Sequence, residues 1–375
     1  MSTMQQPTKF LVIQLRQIGD VLISTTVCET LKKNFPTAQV DYMVYPYAEA
    51  IVKNNPEIDN IIVVPNGMRK GALRKMWGAL KFIRRQKYDY AIDIVNTPKS
   101  GWITALSGAK VTIGRGSKKI RQHFYNIKVA DDKNFLATVS ASYSVKNRLL
   151  LLTPISKNLQ WIVRYQVYLS AQELTNARDL MLQAGINFSR PIFFFMPGCR
   201  AQNRDPGRNQ WPVDYFVTIM NHCIEKYQAQ LITYPGPGQL VQIEALHKEI
   251  KQPQNFFIFK NGNLRESAAM IAQSDLYIGN DTAPHHVAMG FDTPSVATFA
   301  PRINYRDWQP GDDPRHLALA AQEALNLTDA DYLKNISRCD RDVAYEQHCY
   351  RQMTPDLLMP KIDALFNATY KKVHS

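Results

Sequence analysis

The segment Asp275-Leu276-Tyr277-Ile278-Gly279-Asn280-Asp281-Thr282-Ala283-Pro284-His285-His286 changes character twice. Leu276 to Ile278 is an apolar run that reads as a short buried strand, and Gly279-Asn280-Asp281-Thr282 are turn and N-cap residues. Pro284 falls where the first helical turn tolerates a missing N–H, and His286-Val287-Ala288-Met289 continues as helix. A strand that runs into a capped helix aims unpaired backbone N–H groups and a positive dipole end beyond the sheet edge, which is either a seat for phosphate or the ordinary geometry of an αβ unit. Asp281, Thr282 and His286 would project near that same helix end.

Working outward, the pattern repeats along the chain. Phe10 to Leu15 reads as a buried parallel strand, Arg16 to Asp20 as its turn, and Val21 to Asn34 as a helix. Further strands are expected at Val40–Val44, Asn60–Val64, Tyr90–Ile94 and Val111–Ile113, with helices at Ala48–Asn54, Gly71–Gln86 and Lys99–Leu106. Asn134 to Leu151 reads as one helix leaving the first domain. A second series of strands begins at Pro191–Met196 and continues at Gln230–Tyr234, Asn255–Phe259, Leu276–Ile278 and Thr293–Phe299. Helices alternate with them, and a terminal helix at Thr354–Tyr370 follows a charged, cysteine-containing loop. The expected class is therefore α/β, with two doubly wound domains at residues 1–165 and 166–375. Two such halves in tandem would form a cleft, and both Gly19-Asp20 and Gly279 to Thr282 lie at strand C-termini, where α/β sheets bind ligands.

Composition narrows the classes. The 375 residues are 45% hydrophobic and 21% charged, as expected of a globular protein with room for two cores. No apolar run approaches the roughly 20 residues needed to span a bilayer, and the polar N-terminus lacks a signal-peptide core. Five cysteines without a CxxC pair suit free thiols in a reducing cytoplasm better than a disulfide frame or a zinc site. The formal charge of +13 is one-sided: residues 1–150 hold 23 Lys and Arg against 10 Asp and Glu, and the remainder holds 22 of each sign. Such a field steers anionic partners, whether nucleic acid, a phosphorylated glycolipid or a membrane face.

From position alone Asp20 is either a helix cap or a general base for a hydroxyl, kept ionised by the helix end. A dinucleotide site is disfavoured, because Gln14 to Asp20 offers one glycine in place of GxGxxG.

Arg16-Gln17-Ile18-Gly19-Asp20-Val21-Leu22, followed by Thr30 to Pro36, resembles the opening of the glycosyltransferase family 9 heptosyltransferases. Similar correspondences run in order through Asn55-Pro56-Glu57-Ile58, Asp93, Lys99-Ser100, Trp211-Pro212 and Gly279 to His286. The resemblance implies a GT-B fold, with two Rossmann-like domains facing across a cleft. It implies an ADP-heptose donor, no further cofactor, and an acceptor on the phosphorylated Kdo–heptose core of lipopolysaccharide. The transfer would be inverting and metal-independent, without an Asp-x-Asp pair serving a metal. Asp20 matches the family's general base. Thr282 and Ala283 backbone N–H groups, His286 and Asp281 match its donor-binding positions. Arg69, Arg74, Lys99 and Arg121 fall in regions like its acceptor-binding arms, and Glu244 would hold donor ribose hydroxyls. Where relatives carry a lysine two residues before Trp-Pro, this chain has Asn209 with Arg208 beside it. Either Arg208 supplies the cation after a one-residue shift or it is a solvated loop arginine. Val95-Asn96-Thr97-Pro98 also departs from the usual Gln-Gly pair, which bears on the acceptor. The implied location is cytoplasmic and peripheral to an anionic inner-membrane face, with no nucleic-acid partner. The first sixty residues lean toward a type adding a later or branching heptose. Alternatives are a family 9 transferase using another nucleotide sugar or glycan, and a non-catalytic binder of anionic lipid or nucleic acid.

Overall fold

Alternating short apolar runs and amphipathic segments produce two parallel sheets in the computed structural model, which describes residues 8–67, 71–116, 121–198, 210–260, 262–310 and 313–374. The chain divides into two compact units, Met1–Tyr168 and Leu169–Ser375.

The first unit carries strands β1 (Lys9–Ile13), β2 (Gln39–Val44), β3 (Asn60–Val63), β4 (Tyr90–Asp93), β5 (Val111–Arg115) and β6 (Ile127–Val129). Its helices are α1 (Ile18–Ile23), α2 (Thr25–Asn34), α3 (Pro46–Val52), α4 (Ala72–Gln86), α5 (Pro98–Leu106), α6 (Lys133–Thr138) and α7 (Tyr143–Leu149). The strand order is β3-β2-β1-β4-β5-β6, all parallel. Phe10 to Ile13 are wholly buried because helices cover both faces, which is why β1 reads as a continuous apolar run.

The second unit repeats the plan with β7 (Ile192–Met196), β8 (Gln230–Thr233), β9 (Phe256–Ile258), β10 (Leu276–Asn280), β11 (Ser295–Thr298) and β12 (His316–Leu319). Its helices are α8 (Ala171–Gln183), α9 (Val213–Tyr227), α10 (Leu240–Glu249), α11 (Leu264–Ala272), α12 (Ala283–Gly290), α13 (Ala321–Ala324), α14 (Asp329–Arg341), α15 (Val343–Gln352) and α16 (Pro355–His374). Here the order is β12-β11-β10-β7-β8-β9. Phe193, Phe195, Trp211, Phe216 and Phe366 anchor its larger core.

Each sheet reverses winding direction once, between β1 and β4 in the first unit and between β7 and β10 in the second. Such a switch point leaves an open crevice at the strand C-termini. The loop to α1 and the Asp281-Thr282 turn each begin at one of these points.

Three expectations are corrected. The helix expected over Val21–Asn34 is two, broken at Ser24, whose hydroxyl bonds the Asp20 carbonyl at 2.7 Å. The single helix expected over Asn134–Leu151 is α6 and α7, because the Ser142 side chain caps Val145 N–H and starts a new helix. The charged loop before the terminal helix is α14 and α15, each with its own N-cap, Thr328 and Asp342. β6 and β12, short strands at the sheet edges, were not anticipated.

Candidate functional site

In the first unit the site begins at the end of β1. Helix α1 starts at Ile18, so Asp20 is the third helical residue, and Gln17, in the N-cap position, makes no side-chain capping bond. The cap reading of Asp20 is thereby set aside. Its carboxylate Oδ1 lies 2.6 Å from a guanidinium nitrogen of Arg148 on α7, and the two side chains are 15% and 9% exposed. Oδ2 has no hydrogen-bond partner among the described residues. The same guanidinium donates to Ser24 Oγ at 2.8 Å and to the Ser144 carbonyl at 2.6 Å. Gln14 donates to Ser24 Oγ at 2.7 Å. A planar fork with three anchored donors fixes direction as well as charge. Burial lowers the Arg148 pKa, and the Asp20 charge opposes that shift.

Arg148 was missed in the sequence. Its signal was a lone cation directly before Leu149-Leu150-Leu151-Leu152, a run that had to be buried and would carry that arginine inward.

Across the switch point, Asp93 closes β4. It is fully buried, accepts from the Val95 and Asn96 N–H groups at 2.9 and 3.0 Å, and takes the Tyr125 hydroxyl at 2.6 Å. Burial raises its pKa against these bonds. Asn96 has φ 54°, a left-handed backbone that asparagine tolerates. A cavity of about 590 Å³ opens beside it, lined by Asn96, Arg115, Lys128, Tyr143 and Asn147.

The expected acceptor cations divide. Lys99 is partly buried, donates to the Pro65 carbonyl at 2.6 Å and lies 4.7 Å from the Tyr45 ring centroid, so it braces the segment after β3. Burial lowers its pKa. Arg74 is exposed on α4. Arg69 and the Arg121 side chain lie outside the described residues, as do Arg208 and Asn209.

In the second unit β10 runs through Asn280, and Thr282 is the N-cap of α12. Asn280 is therefore a strand end and not a turn residue. Its amide donates to the Pro197 carbonyl at 2.8 Å and accepts from Trp211 N–H and the Thr298 hydroxyl, both at 3.0 Å. A side chain at Gly279 would put Cβ 2.6 Å from the Met196 carbonyl oxygen, so only glycine lets β10 approach β7 here. The Thr282 side chain does not cap its helix and turns back to the Asn280 carbonyl at 3.3 Å. Thr282 and Ala283 N–H groups thus remain without acceptors among the described residues, and Pro284 has none to satisfy.

Asp281 directly precedes this N-cap. His285 Nδ1 and His286 Nε2 stand 3.3 and 3.7 Å from its Oδ1. Burial pushes the Asp281 carboxyl up to about 6, with His286 opposing. Burial also takes His285 down to about 3, so at neutral pH it is uncharged and its Nδ1–H donates to the carboxylate. Its Nε2 is then a buried acceptor without a partner among the described residues. His286, packed 5.9 Å from the Trp308 ring centroid, is buried as well. Glu244 is exposed and paired with Lys260 at 2.5 Å.

Asp292, Asp313 and His316 bring possible metal-binding atoms within 4.8 Å of one another. Arg315 already spans both carboxylates at 3.0 and 2.8 Å and holds Asp313 well below the usual carboxylate range. The Asp-x-Asp spacing does occur, at Asp329–Asp331 and Asp340–Asp342. Asp329 pairs with Arg306, Asp331 with Lys334, and Asp342 caps α15. Cys28, Cys223, Cys339 and Cys349 are buried.

Known proteins resemble this chain in sequence and in fold. The sequence profile of glycosyltransferase family 9 (heptosyltransferase) matches residues 76–325. Lipopolysaccharide heptosyltransferase 3 of Escherichia coli is 24% identical over 301 residues, which is 78% of this chain and 84% of that protein. A family 9 glycosyltransferase structure from Veillonella parvula DSM 2008 superposes with a TM-score of 0.78, covering 97% of this chain and 99% of its own at 17% identity. The E. coli ADP-heptose LPS heptosyltransferase II gives 0.71, covering 96% and 99% at 18% identity. The fold is GT-B, built of two Rossmann-like units. With its family profile matched over more than half its length, the chain belongs to glycosyltransferase family 9, the heptosyltransferases, and is a glycosyltransferase.

Proposed function

We propose that this enzyme transfers a heptose from ADP-heptose to the phosphorylated inner core of lipopolysaccharide, with inversion and without a metal. The observation that carries the reading is the Asp20 carboxylate, held through Oδ1 by Arg148 while Oδ2 has no hydrogen-bond partner among the described residues. The free oxygen takes the proton of the acceptor hydroxyl as that oxygen attacks the anomeric carbon. The bond from that carbon to the diphosphate breaks on the opposite face, and the electron pair leaves with ADP. Charge gathers on the diphosphate as the sugar passes through an oxocarbenium-like state. The Thr282 and Ala283 N–H groups and His286 receive it. Asp281, fixed from below by His285, orients the donor, and Glu244 holds its ribose.

The first unit supplies the acceptor side through Arg69, Arg74, Lys99 and Arg121. Lys99 acts by bracing the segment after β3, where its partners are the Pro65 carbonyl and the Tyr45 ring. The similarity to lipopolysaccharide heptosyltransferase 3 of E. coli supports a later or branching heptose as the sugar added.

Incubation with ADP-heptose and a panel of truncated core acceptors, followed by product mass measurement, tests the reading. A heptose added to one acceptor, and lost in Asp20→Asn, is the expected result. Transfer from a different nucleotide sugar alone would overturn the donor assignment.

A further inference from the structure

Helices α4 and α5 follow β3 and β4 through crossovers that run the same way along the sheet, which puts both on one face. Their inner residues meet in one core, where Leu80 and Ile83 of α4 cluster with Ile103 of α5. The outer surfaces are unusual. On α4, Leu73, Trp77 and Phe82 are 63%, 71% and 42% exposed, and on α5 Trp102 and Leu106 are 58% and 41% exposed. Leu73 and Trp77 are one turn apart, as are Trp102 and Leu106, so each helix carries an apolar pair on its outer side.

The charge around these side chains has one sign. α4 contains Arg74, Lys75, Lys81, Arg84 and Arg85 and no acidic residue, and Lys87 follows it. All six cations are exposed, and none pairs with a carboxylate among the described residues. Gly78, midway along the outer side, has nothing within 4 Å of where its Cβ would stand, so a flat surface can approach closely there. Aromatic and leucine tips set among unneutralised Lys and Arg match the boundary between anionic head groups and acyl chains.

We infer that the outer surface of α4 and α5 is a docking face for an anionic lipid bilayer, with Trp77, Leu73, Trp102 and Leu106 entering the head-group layer and Lys81, Arg84 and Arg85 meeting lipid phosphates. The face belongs to the unit that holds Asp20, so docking brings that unit to the surface where a lipid-anchored acceptor lies. The inference is independent of the sugar and the reaction, since it stands or falls on lipid binding.

Sedimentation of the full chain with vesicles tests it. Phosphatidylethanolamine vesicles with about 30 mol % phosphatidylglycerol should carry the protein down, more weakly at high salt, while phosphatidylcholine vesicles should retain little. Trp77→Ala with Trp102→Ala should cut the partition by about 10-fold, and Lys81→Glu with Arg85→Glu by at least about as much. Both variants should keep the far-UV spectrum and the ADP-dependent thermal shift of the parent. Brominated lipid in the anionic vesicles should quench tryptophan emission of the unmodified protein, a readout that needs no variant. Absent binding to anionic vesicles, absent quenching, or equal partition of parent and both variants would overturn the inference. So would self-association through this face, or duplex DNA binding at physiological salt, in a protein that ignores vesicles.

Discussion

Arg148 and Asp20, 128 residues apart in the chain, meet at 2.6 Å. Neither residue announces the other locally, yet the contact decides what Asp20 can do. The guanidinium occupies Oδ1, and three further elements hold it: Ser24 at the α1–α2 break, the Ser144 carbonyl on its own helix, and Gln14 acting through Ser24. The carboxylate is thereby aimed and cannot swing away.

Asp20→Asn keeps an acceptor oxygen for Arg148 and removes the base. Transfer should fall by roughly 10²- to 10⁴-fold, with ADP-dependent thermal stabilisation unchanged. Asp20→Ala should in addition lower stability by about 3 kcal/mol, because a buried guanidinium is left unpaired. Turnover assays and denaturant melts separate the two effects, and near-parental transfer in the Asn variant sinks the base assignment.

Arg148→Lys retains the charge and cannot reproduce the fork. The expected outcome is a loss of kcat of about 10-fold or more with little change in KM for ADP-heptose, since the proposed donor contacts lie in the other unit. A change confined to KM would contradict a positioning role.

Asp281 sets a pH dependence. Its carboxyl titrates at about 6 in the folded protein, against an ordinary value of 3.8. The raised value means the folded state holds the proton more tightly, so this group's contribution to stability is fully present below pH 4 and is lost as pH rises through 6. Asp281→Asn should therefore be more stable than the parent at pH 7, by roughly 2 to 3 kcal/mol at most. The same variant should lose donor retention, and parental donor affinity should weaken as pH falls through 6. Melting curves and ADP titrations between pH 5 and 8 check both signs.

Gly279→Ala tests the close approach of β10 to β7. The added carbon would press on the Met196 carbonyl at 2.6 Å and on the Tyr277 hydroxyl at 2.9 Å, both deeply placed. A loss of about 1 to 3 kcal/mol is expected, together with a weakened ADP shift as the Thr282 turn moves. Parental stability and ADP response would show that the backbone yields there.

Much of this was legible because parallel strands buried on both faces are continuous apolar runs, as in Phe10 to Ile13 and Ile192 to Met196. The Thr282 turn was legible because glycine, N-cap and proline fall in a fixed local order. What escaped was non-local or diluted. Arg148 acquires its meaning only from a residue on another helix. The α14 core positions Tyr332, Asn335 and Cys339 keep helical spacing, but charged neighbours hide it. β6 and β12, three and four residues long, are too short to show a period. Asn280 looked like a turn residue because its amide serves backbone groups distant in sequence.

That amide has a further consequence. By gripping the Pro197 carbonyl and the Trp211 N–H, Asn280 brings the two ends of the intervening segment to one point and fastens both to the sheet. One side chain therefore joins the ends of β7, β10 and β11 to the start of α9, and Asn280→Ala would loosen all of them at once.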